Sequence, residues 1–194
     1  METADRSPWC CYDPLDVHYH DTLWGRPEYD DLSLFEKLCL DGQQAGLSWI
    51  TILRKHHNYR AAYDDFNPEK IVRYDEEKVE ELLSDPGIIR NRLKVRSIIK
   101  NARGYLDLRE QGIGFSDFLW SFVGDKPIQN HWRAFSEVPT TTAESEAMSK
   151  ALKRSGCTFL GPTIVYAFMP ATGMANDHRV QCHQHRECHL LSQS

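Results

Sequence analysis

The chain contains 194 residues, of which 41% are hydrophobic, and it has a formal net charge of −5 at pH 7. A chain of this length can bury one substantial core or two small lobes that share a cleft. Because it has neither an apolar run near the ~18 residues needed to cross a bilayer nor the start of a secretory signal, we expect a cytoplasmic protein without a membrane partner.

Helical spacing of apolar residues recurs along most of the chain, and alternating strand-like runs are nearly absent. The sequence therefore predicts an all-α fold. Four stretches have this spacing, in chain order Leu34, Phe35, Leu38 and Cys39; Ile50, Leu53 and Tyr63; Val79, Leu82 and Leu83; and Val95, Ile98, Ile99, Ala102 and Leu106.

Residues that typically begin or end helices lie between these stretches. Asn67, which precedes a proline, is predicted to open one helix, and Asp75 is predicted to cap the next. Gly112 is predicted to end a long helix. Thr141–Glu144 has the pattern of a capping box, and Gly156 closes the helix that this box begins.

The segment from Leu40 to Trp49 places a carboxylate, two amides and an indole beside two glycines. Asp41 offers only acceptors, the two glutamines offer donors and acceptors, and Trp49 offers a flat face with one N–H. Together these groups suit a planar, hydrogen-bonding or cationic ligand. The alternative is a helix–turn–helix corner in which Gly42 and Gly46 end and restart helices.

The segment from Asp85 to Arg103 contains six basic residues, although the whole chain is acidic. Helices on both sides of its Pro-Gly turn would form a helix–hairpin–helix. Backbone N–H groups around Gly87 and Ile88, with the charges of Arg90 and Lys94, would then bind DNA phosphates without reading base sequence. The alternative is an ordinary turn followed by a solvated basic helix face.

Several unusual blocks occur in one order along the chain: Trp9, Asp13–Leu15, Tyr19–Asp21, Trp24–Gly25, Gly42–Trp49, Pro86–Arg90, Asn176–His178 and Cys182. Their order and separations resemble those of the 3-methyladenine DNA glycosylase I family. The resemblance is specific because every block recurs in place, and it extends over nearly the whole chain.

This resemblance implies a helix-hairpin-helix DNA glycosylase fold whose N- and C-terminal regions are joined by zinc. Residues 1–194 would form one unit of two helical lobes. Residues 1–30 and 160–194 would form a zinc-binding lobe, and residues 31–159 a central helical region with the hairpin at about 76–103.

The implied activity is hydrolytic removal of 3-methyladenine from double-stranded alkylated DNA in base-excision repair. The products would be an abasic site and free 3-methyladenine. The resemblance further implies a monomer that acts in the bacterial cytoplasm and does not cleave the DNA strand, since no lysine stands where related bifunctional enzymes have their nucleophile.

The resemblance also implies which residues bind the base. Tyr19 and Trp49 match aromatic residues that enclose it, and Trp9 and Trp24 match aromatic residues near it. Asp41 stands where the family has a glutamate that hydrogen-bonds the adenine edge, and it is the implied catalytic residue. Such a cage suits 3-methyladenine, which is cationic before cleavage and already a good leaving group.

Contacts with the DNA itself are implied at two places. Gly46 and Leu47 match a loop that enters the duplex and fills the gap left by the extruded base. Gly87, Ile88 and the basic residues that follow them match the hairpin that binds the DNA backbone.

Two pocket positions depart from the family. Asp41 is one methylene shorter than the usual glutamate, so we expect its carboxylate to lie about 1–1.5 Å short of the base edge unless the backbone shifts. Asp16 stands where relatives often have tyrosine near the pocket. We expect it to be a solvated loop residue; if it faces inward instead, it adds a second negative charge to the pocket.

The six cysteines are irregularly spaced, which favours reduced thiols, some of them bound to metal, over disulfides. His20, His178 and Cys182 match three of the four zinc ligands of the family. Zinc bound by four protein ligands leaves no coordination position for water, so the resemblance implies a structural Zn²⁺.

The fourth zinc ligand is the uncertain one. The matching position is Ser7, whose neutral hydroxyl binds zinc poorly, so we expect Cys10 or Cys11 to replace it. Further candidates follow near the C-terminus: His183, His185, Cys188 and His189.

These departures suggest two rival functions. The shorter Asp41 and the missing ligand at Ser7 favour a damage-binding protein without catalysis. A zinc site made only of His20, His178 and Cys182 leaves a coordination position free, as in a zinc hydrolase. Release of free base from alkylated DNA distinguishes a glycosylase from both.

Overall fold

The computed structural model describes residue 6 and residues 8–193. Over this part of the chain it contains eleven α-helices and one pair of two-residue strands, and none of these helices is long and apolar enough to cross a membrane. The helices are α1 (Pro14–Thr22), α2 (Asp31–Gln44), α3 (Trp49–Leu53), α4 (His56–Ala62), α5 (Pro68–Ile71), α6 (Glu76–Ser84), α7 (Arg92–Glu110), α8 (Phe115–Trp120), α9 (Ala143–Arg154), α10 (Pro162–Ala171) and α11 (His183–Leu191). The strands are β1 (Ile128–Gln129) and β2 (Ala175–Asn176), which pair in parallel.

Helix α2 lies at the centre of the core. It begins after Asp30, whose carboxylate accepts a hydrogen bond from the backbone N–H of Ser33 at 2.8 Å and so caps the helix. Leu34, Phe35 and Leu38 have helical spacing and are completely buried. Because this face packs on α7 and α10, the residues at the end of α2 have fixed positions relative to both.

Helices α6 and α7 form the predicted helix–hairpin–helix. Asp75 caps α6 by accepting the N–H of Lys78 at 2.9 Å, and Asn91 caps α7 by accepting the N–H of Lys94 at 3.1 Å. Residues 85–91 connect the two helices. Since α7 also packs against α2 and α5, the hairpin is attached to the core along most of its length.

Two segments that are far apart in sequence, residues 26–28 and 172–173, pack against each other close to α1. Gly173 has φ +73°, and a Cβ atom at this position would lie only 2.3 Å from the backbone nitrogen of Pro27. One residue before it, the carbonyl of Thr172 accepts the N–H of Glu28 at 3.1 Å. This close approach directs the chain after α10 past residues 26–28 and brings His178 next to α1.

Most of the predicted helix boundaries are confirmed. The side chains of Asn67 and Asp75 cap α5 and α6 as expected. Gly112 and Gly156 follow α7 and α9 with φ of +76° and +84°, values that glycine adopts without strain. The parallel strand pair is a small addition to the expected all-α fold.

Three local predictions are wrong. The stretch from Ile50 to Tyr63 forms two helices, α3 and α4, because the chain turns at residues 54–55. The capping box lies one residue later than expected and uses Thr142 and Ser145. Gly42 does not end α2, which continues to Gln44; neighbours pack closely enough there that tertiary contacts outweigh the low helix propensity of glycine.

We predict that Gly173→Ala lowers the free energy of unfolding by about 2–4 kcal/mol, because the new methyl group combines an unfavourable φ with a collision against backbone atoms of residues 26–27. Gly112→Ala is the matched control: its φ of +76° is similar, but no atom lies within 4 Å of the added carbon. It should cost only about 1–2 kcal/mol. Equal losses in urea-induced unfolding would show that the approach at Gly173 is not tight.

Candidate functional site

A cavity between α1, α2, α3 and α10 contains all four aromatic residues that were expected to surround a base. Trp9, Tyr19, Trp24 and Trp49 line it together with Asp41. The ring centroids of Tyr19 and Trp49 are 5.2 Å apart, and those of Trp9 and Trp24 are 5.6 Å apart. Trp9 also lies 6.4 Å from Tyr19. These are separations of packed aromatic pairs, so the four rings form a continuous wall.

Asp41 lies near the end of α2 with only 1% of its surface exposed. Its Oδ1 accepts a hydrogen bond from Nζ of Lys37, one helical turn earlier, whereas its Oδ2 has no partner among the described residues. Burial raises the pKa of Asp41, and the Lys37 ammonium opposes that rise. A buried acceptor without a partner is costly unless a ligand satisfies it.

Lys37 is a pocket residue that the sequence analysis missed. Its Nζ lies 4.1 Å from the ring centroid of Trp49, in addition to its ion pair with Asp41. The sequence contained a feature that predicts this contact. Lys37 and Asp41 are four residues apart, and residues with this spacing are neighbours on a helix.

Asp16 lines the same cavity, so the expectation of a solvated loop residue is wrong. It lies in the first turn of α1, which Asp13 caps, and it is 6% exposed. Helical spacing places Asp16 on the same face as Tyr19. Its Oδ1 has no partner among the described residues, and burial raises its pKa. The cavity therefore contains two buried carboxylates, each with one oxygen that no described residue binds.

Asp177 lines a further side of the cavity, and both of its oxygens are bound. Oδ1 accepts from Nδ2 of Asn130 at 2.7 Å and from Nε1 of Trp132 at 2.9 Å. Oδ2 accepts from the hydroxyl of Tyr166 at 2.6 Å. These bonds fix the position of the residue immediately before His178.

A cluster of His20, His178 and Cys182 lies directly behind the aromatic wall. The Sγ of Cys182 lies 3.6 Å from Nε2 of His20 and 3.5 Å from Nδ1 of His178. The three side chains are buried, and their ligand atoms lie within 4.8 Å of one another. Burial lowers the pKa of His178 to about 3, so its imidazole is neutral, as a metal ligand must be.

The orientation of His20 is fixed by Asp21. Nδ1 of His20 lies 2.8 Å from Oδ1 of Asp21, and this hydrogen bond leaves the Nε2 lone pair directed at the cluster. Arg6 in turn donates three hydrogen bonds to Asp21, two from Nε and one from Nη2, and is its ion-pair partner at 2.7 Å. The Arg6 guanidinium is the main reason that the pKa of Asp21 falls to about 2.

The geometry brings together three of the four expected zinc ligands. Ser7 lies outside the described residues. Among the described residues only His20, His178 and Cys182 form a group with metal-ligand spacing, although Cys10 is buried and Cys11 is exposed nearby. Two of the further candidates have other partners: His185 hydrogen-bonds the carbonyl of Asn130, and His189 hydrogen-bonds the side chain of Gln129.

Lys94 is not placed to bind phosphate, which corrects the sequence-based assignment. Its side chain is 7% exposed, and Nζ donates to the carbonyl oxygens of Gln43 at 2.8 Å and Ala45 at 2.6 Å. These carbonyls belong to the C-terminal end of α2 and the loop after it, where a positive charge is favourable. Lys94 therefore joins the hairpin to the loop that contains Gly46 and Leu47.

That loop projects from the surface. Gly46 has φ +76° and open space around its α-carbon, and Leu47 is 40% exposed. An exposed leucine at the tip of a loop beside the cavity has the shape expected of a residue that enters a duplex.

The hairpin is also less available to DNA than expected. The N–H of Gly87 donates to the carboxylate of Asp85 at 2.6 Å, that of Ile89 donates to the hydroxyl of Tyr59 at 3.1 Å, and Ile88 is buried. The predicted basic face is reduced because acidic residues of α6 pair with two of its arginines, Arg92 and Arg96. Arg90 remains exposed.

A second cavity lies on the other side of part of the aromatic wall. Tyr19, Lys37 and Trp49 line both cavities, and the far side of the second one includes Glu36 and His56. Glu36 pairs with both His56 and Arg60, so the charged groups lining this second cavity are largely paired with each other.

The model of the methyladenine glycosylase family matches residues 9–185. DNA-3-methyladenine glycosylase 1 of Escherichia coli (strain K12) is 52% identical over 178 residues, which cover 92% of this chain and 95% of the relative. DNA-3-methyladenine glycosylase of Haemophilus influenzae is 47% identical over 177 residues, which cover 91% and 96%.

Solved structures of 3-methyladenine DNA glycosylase I are also similar to this chain. A crystal structure of 3-methyladenine DNA glycosylase I superposes with a TM-score of 0.91 at 49% identity and covers 92% of this chain and 98% of that one. A variant of 3-methyladenine DNA glycosylase I in complex with 3-methyladenine superposes with a TM-score of 0.88 at 37% identity, covering 91% and 97%.

We predict that Lys94→Met lowers the free energy of unfolding by about 1–3 kcal/mol, because it leaves the carbonyls of Gln43 and Ala45 without their charged donor. Arg90→Ala is the matched comparison at an exposed basic position of the same hairpin. It should leave stability unchanged and reduce the salt dependence of DNA binding by about one phosphate contact. If Lys94→Met behaves like Arg90→Ala in both measurements, Lys94 contacts DNA after all.

Proposed function

Since this chain belongs to the methyladenine glycosylase family and removes 3-methyladenine from DNA in base-excision repair, we propose that the cavity lined by the four aromatic residues and Asp41 holds the extruded base. The supporting observation is the unpartnered Oδ2 of Asp41, buried beside aromatic rings. Family membership leaves no support for a damage-binding protein without catalysis or for a zinc hydrolase.

The reaction requires little acid catalysis from the protein. Because 3-methyladenine is cationic in the nucleotide, the electron pair of the breaking N-glycosidic bond neutralises the leaving base. Water adds to the sugar carbon and releases a proton to solvent. The protein has to hold the cation and limit the access of other water, and aromatic faces with a buried acceptor serve that purpose.

Asp41 is proposed to accept a hydrogen bond from the amino edge of the base through Oδ2. Oδ1 stays on Lys37, which fixes the orientation of the carboxylate. Lys37 is held in its ion pair with Asp41, so we do not assign it as a nucleophile, and we propose hydrolysis without strand cleavage.

Binding of double-stranded DNA is proposed to use the exposed Arg90 and the loop with Gly46 and Leu47. Arg90 would neutralise a phosphate, and Leu47 would fill the gap left by the base. Lys94 would act indirectly by holding that loop against the hairpin. That the protein acts as a monomer, and that it does so in the bacterial cytoplasm, stay predictions. The two named relatives are bacterial proteins.

We further propose that the buried cluster binds one Zn²⁺. Two neutral imidazoles and a thiol are the donor types that zinc prefers, and their ligand atoms lie close enough to share one ion. Cys10 or Cys11 is the proposed fourth ligand. The ion, when bound, would join the N- and C-terminal segments and contribute to folding; the residues around it hold His20 and His178 in orientation.

The proposed role of Asp41 predicts that Asp41→Asn lowers base release from methylated DNA by about 10- to 1000-fold, because the uncharged side chain no longer opposes the charge of the base. Asp125→Asn is the control, since Asp125 is exposed and its φ of +60° is tolerated by asparagine. It removes the same charge far from the cavity and should leave base release unchanged. Equal activity of both variants would remove Asp41 from the mechanism.

The zinc proposal predicts about one zinc per chain, lost in His178→Ala and Cys182→Ser together with thermal stability. Asp21→Asn should weaken zinc affinity by about 10- to 100-fold, because His20 loses the partner that orients it. His189→Ala serves as a control, because His189 bonds Gln129 instead. Metal analysis that finds no zinc, or an unchanged melting temperature after its removal, would contradict a structural ion.

A further inference from the structure

The base-binding cavity contains three carboxylates, and they differ in what they are bound to. Asp177 accepts three hydrogen bonds through both oxygens. Asp41 is paired with Lys37 through one oxygen. Asp16 is buried, and no described residue binds its Oδ1.

The nearby cations do not compensate Asp16 directly. Lys37 is bound to Asp41, and Arg179 donates to the backbone carbonyl of Arg6. Arg54 lowers the pKa of Asp16 by less than burial or Asp13 raises it, and its guanidinium is bound to Asp13. Asp177 also has no bound cation in the described part of the chain, but its two oxygens accept three hydrogen bonds from neutral donors. Asp16 is therefore the carboxylate in this cavity that has neither a bound cation nor such a set of hydrogen bonds among the described residues.

Both Asp16 and Asp41 act on the same ring. Tyr19, Asp16 and Asp41 line the cavity together, and after burial the charges of Asp41 and then Asp16 raise the pKa of Tyr19. Because all three residues line one cavity, a flat ligand against Tyr19 would lie near both carboxylates.

We propose that Asp16 is a second anionic contact for the extruded base and makes this pocket selective for purines that carry a formal positive charge. The inference rests on the proposed function of the cavity. Lys37 offsets the charge of Asp41, and three neutral donors stabilise Asp177. Asp16 has neither kind of partner at Oδ1 among the described residues, so it supplies the negative charge that the free protein leaves least compensated. A burial cost that the free protein does not recover is recovered when a cation binds.

The same arrangement favours turnover. The base enters as a cation and leaves as a neutral molecule, because bond cleavage returns an electron pair to it. An attraction that depends on positive charge is present for the substrate and absent for the product, so it contributes to binding without retaining the free base.

The test compares a cationic with a neutral ligand in the isolated protein. The probes are 3,9-dimethyladeninium, which keeps its charge, and 3-methyladenine at a pH where the free base is neutral, with binding followed by tryptophan fluorescence. Asp16→Asn should weaken binding of the cation by roughly 5- to 30-fold and change binding of the neutral base by less than about threefold. Asp16→Glu, which keeps the charge, should preserve the preference, and Asp125→Asn should leave both affinities unchanged.

Folding is measured on the same variants. Because Asp16→Asn removes a buried charge without a bound partner, its melting temperature should stay the same or rise. A fall in melting temperature with unchanged ligand preference would show that Asp16 only stabilises the start of α1. If Asp16→Asn weakens the binding of both ligands equally, Asp16 contributes to the shape of the pocket and not to charge selectivity, and the proposal is overturned.

The outcome also separates this inference from the proposed function. If Asp41→Asn loses base binding while Asp16→Asn keeps the preference for the cation, the inference about Asp16 fails and the cavity remains the base site. If neither ligand binds the unaltered protein and mutation of Asp41 leaves base release intact, the proposed function of the cavity fails, and the inference fails with it.

Discussion

The meeting of the two ends of the chain at His20, His178 and Cys182 is the constraint on which the pocket depends. The ring of Trp24 lies 4.5 Å from that of His178 and 6.0 Å from that of His20, and Trp9 lies 5.7 Å from His20. The cluster is therefore the surface against which half of the aromatic wall packs. A loss of this junction would displace Trp9 and Trp24 even though neither is a candidate metal ligand.

Helix α2 provides the other half of the site. Its last turns contain Asp41, and the loop beyond it contains Leu47. Lys94 binds two carbonyls at that end, so the hairpin and the loop are parts of one rigid unit. The distance between the proposed phosphate contact at Arg90 and the proposed gap-filling residue Leu47 is thus determined by internal contacts of the protein.

The sequence predicted the helices, most of their caps and which residues meet in the pocket, because local spacing and ordered motifs contain that information. It failed for Asp16 and Lys94, since their burial depends on helices packed from elsewhere in the chain: Asp16 follows from the face of α1 that turns inward, and Lys94 from the position of α2. The predicted basic face failed for a related reason, because Arg92 and Arg96 pair across the hairpin with Glu76 and Glu80, which a count of charges along the chain does not reveal.

Tyr19, Lys37 and Trp49 border two cavities at once, so these side chains stand between the proposed base site and the second cavity. The rings of Tyr19 and Trp49 and the alkyl chain of Lys37 thereby limit the depth of the pocket. The ion pair with Asp41 holds the flexible Lys37 side chain in place. A smaller side chain at any of these positions would thin the partition between the two cavities and enlarge the space open to a ligand. The depth of the proposed base site thus depends on how these side chains pack as well as on their chemistry.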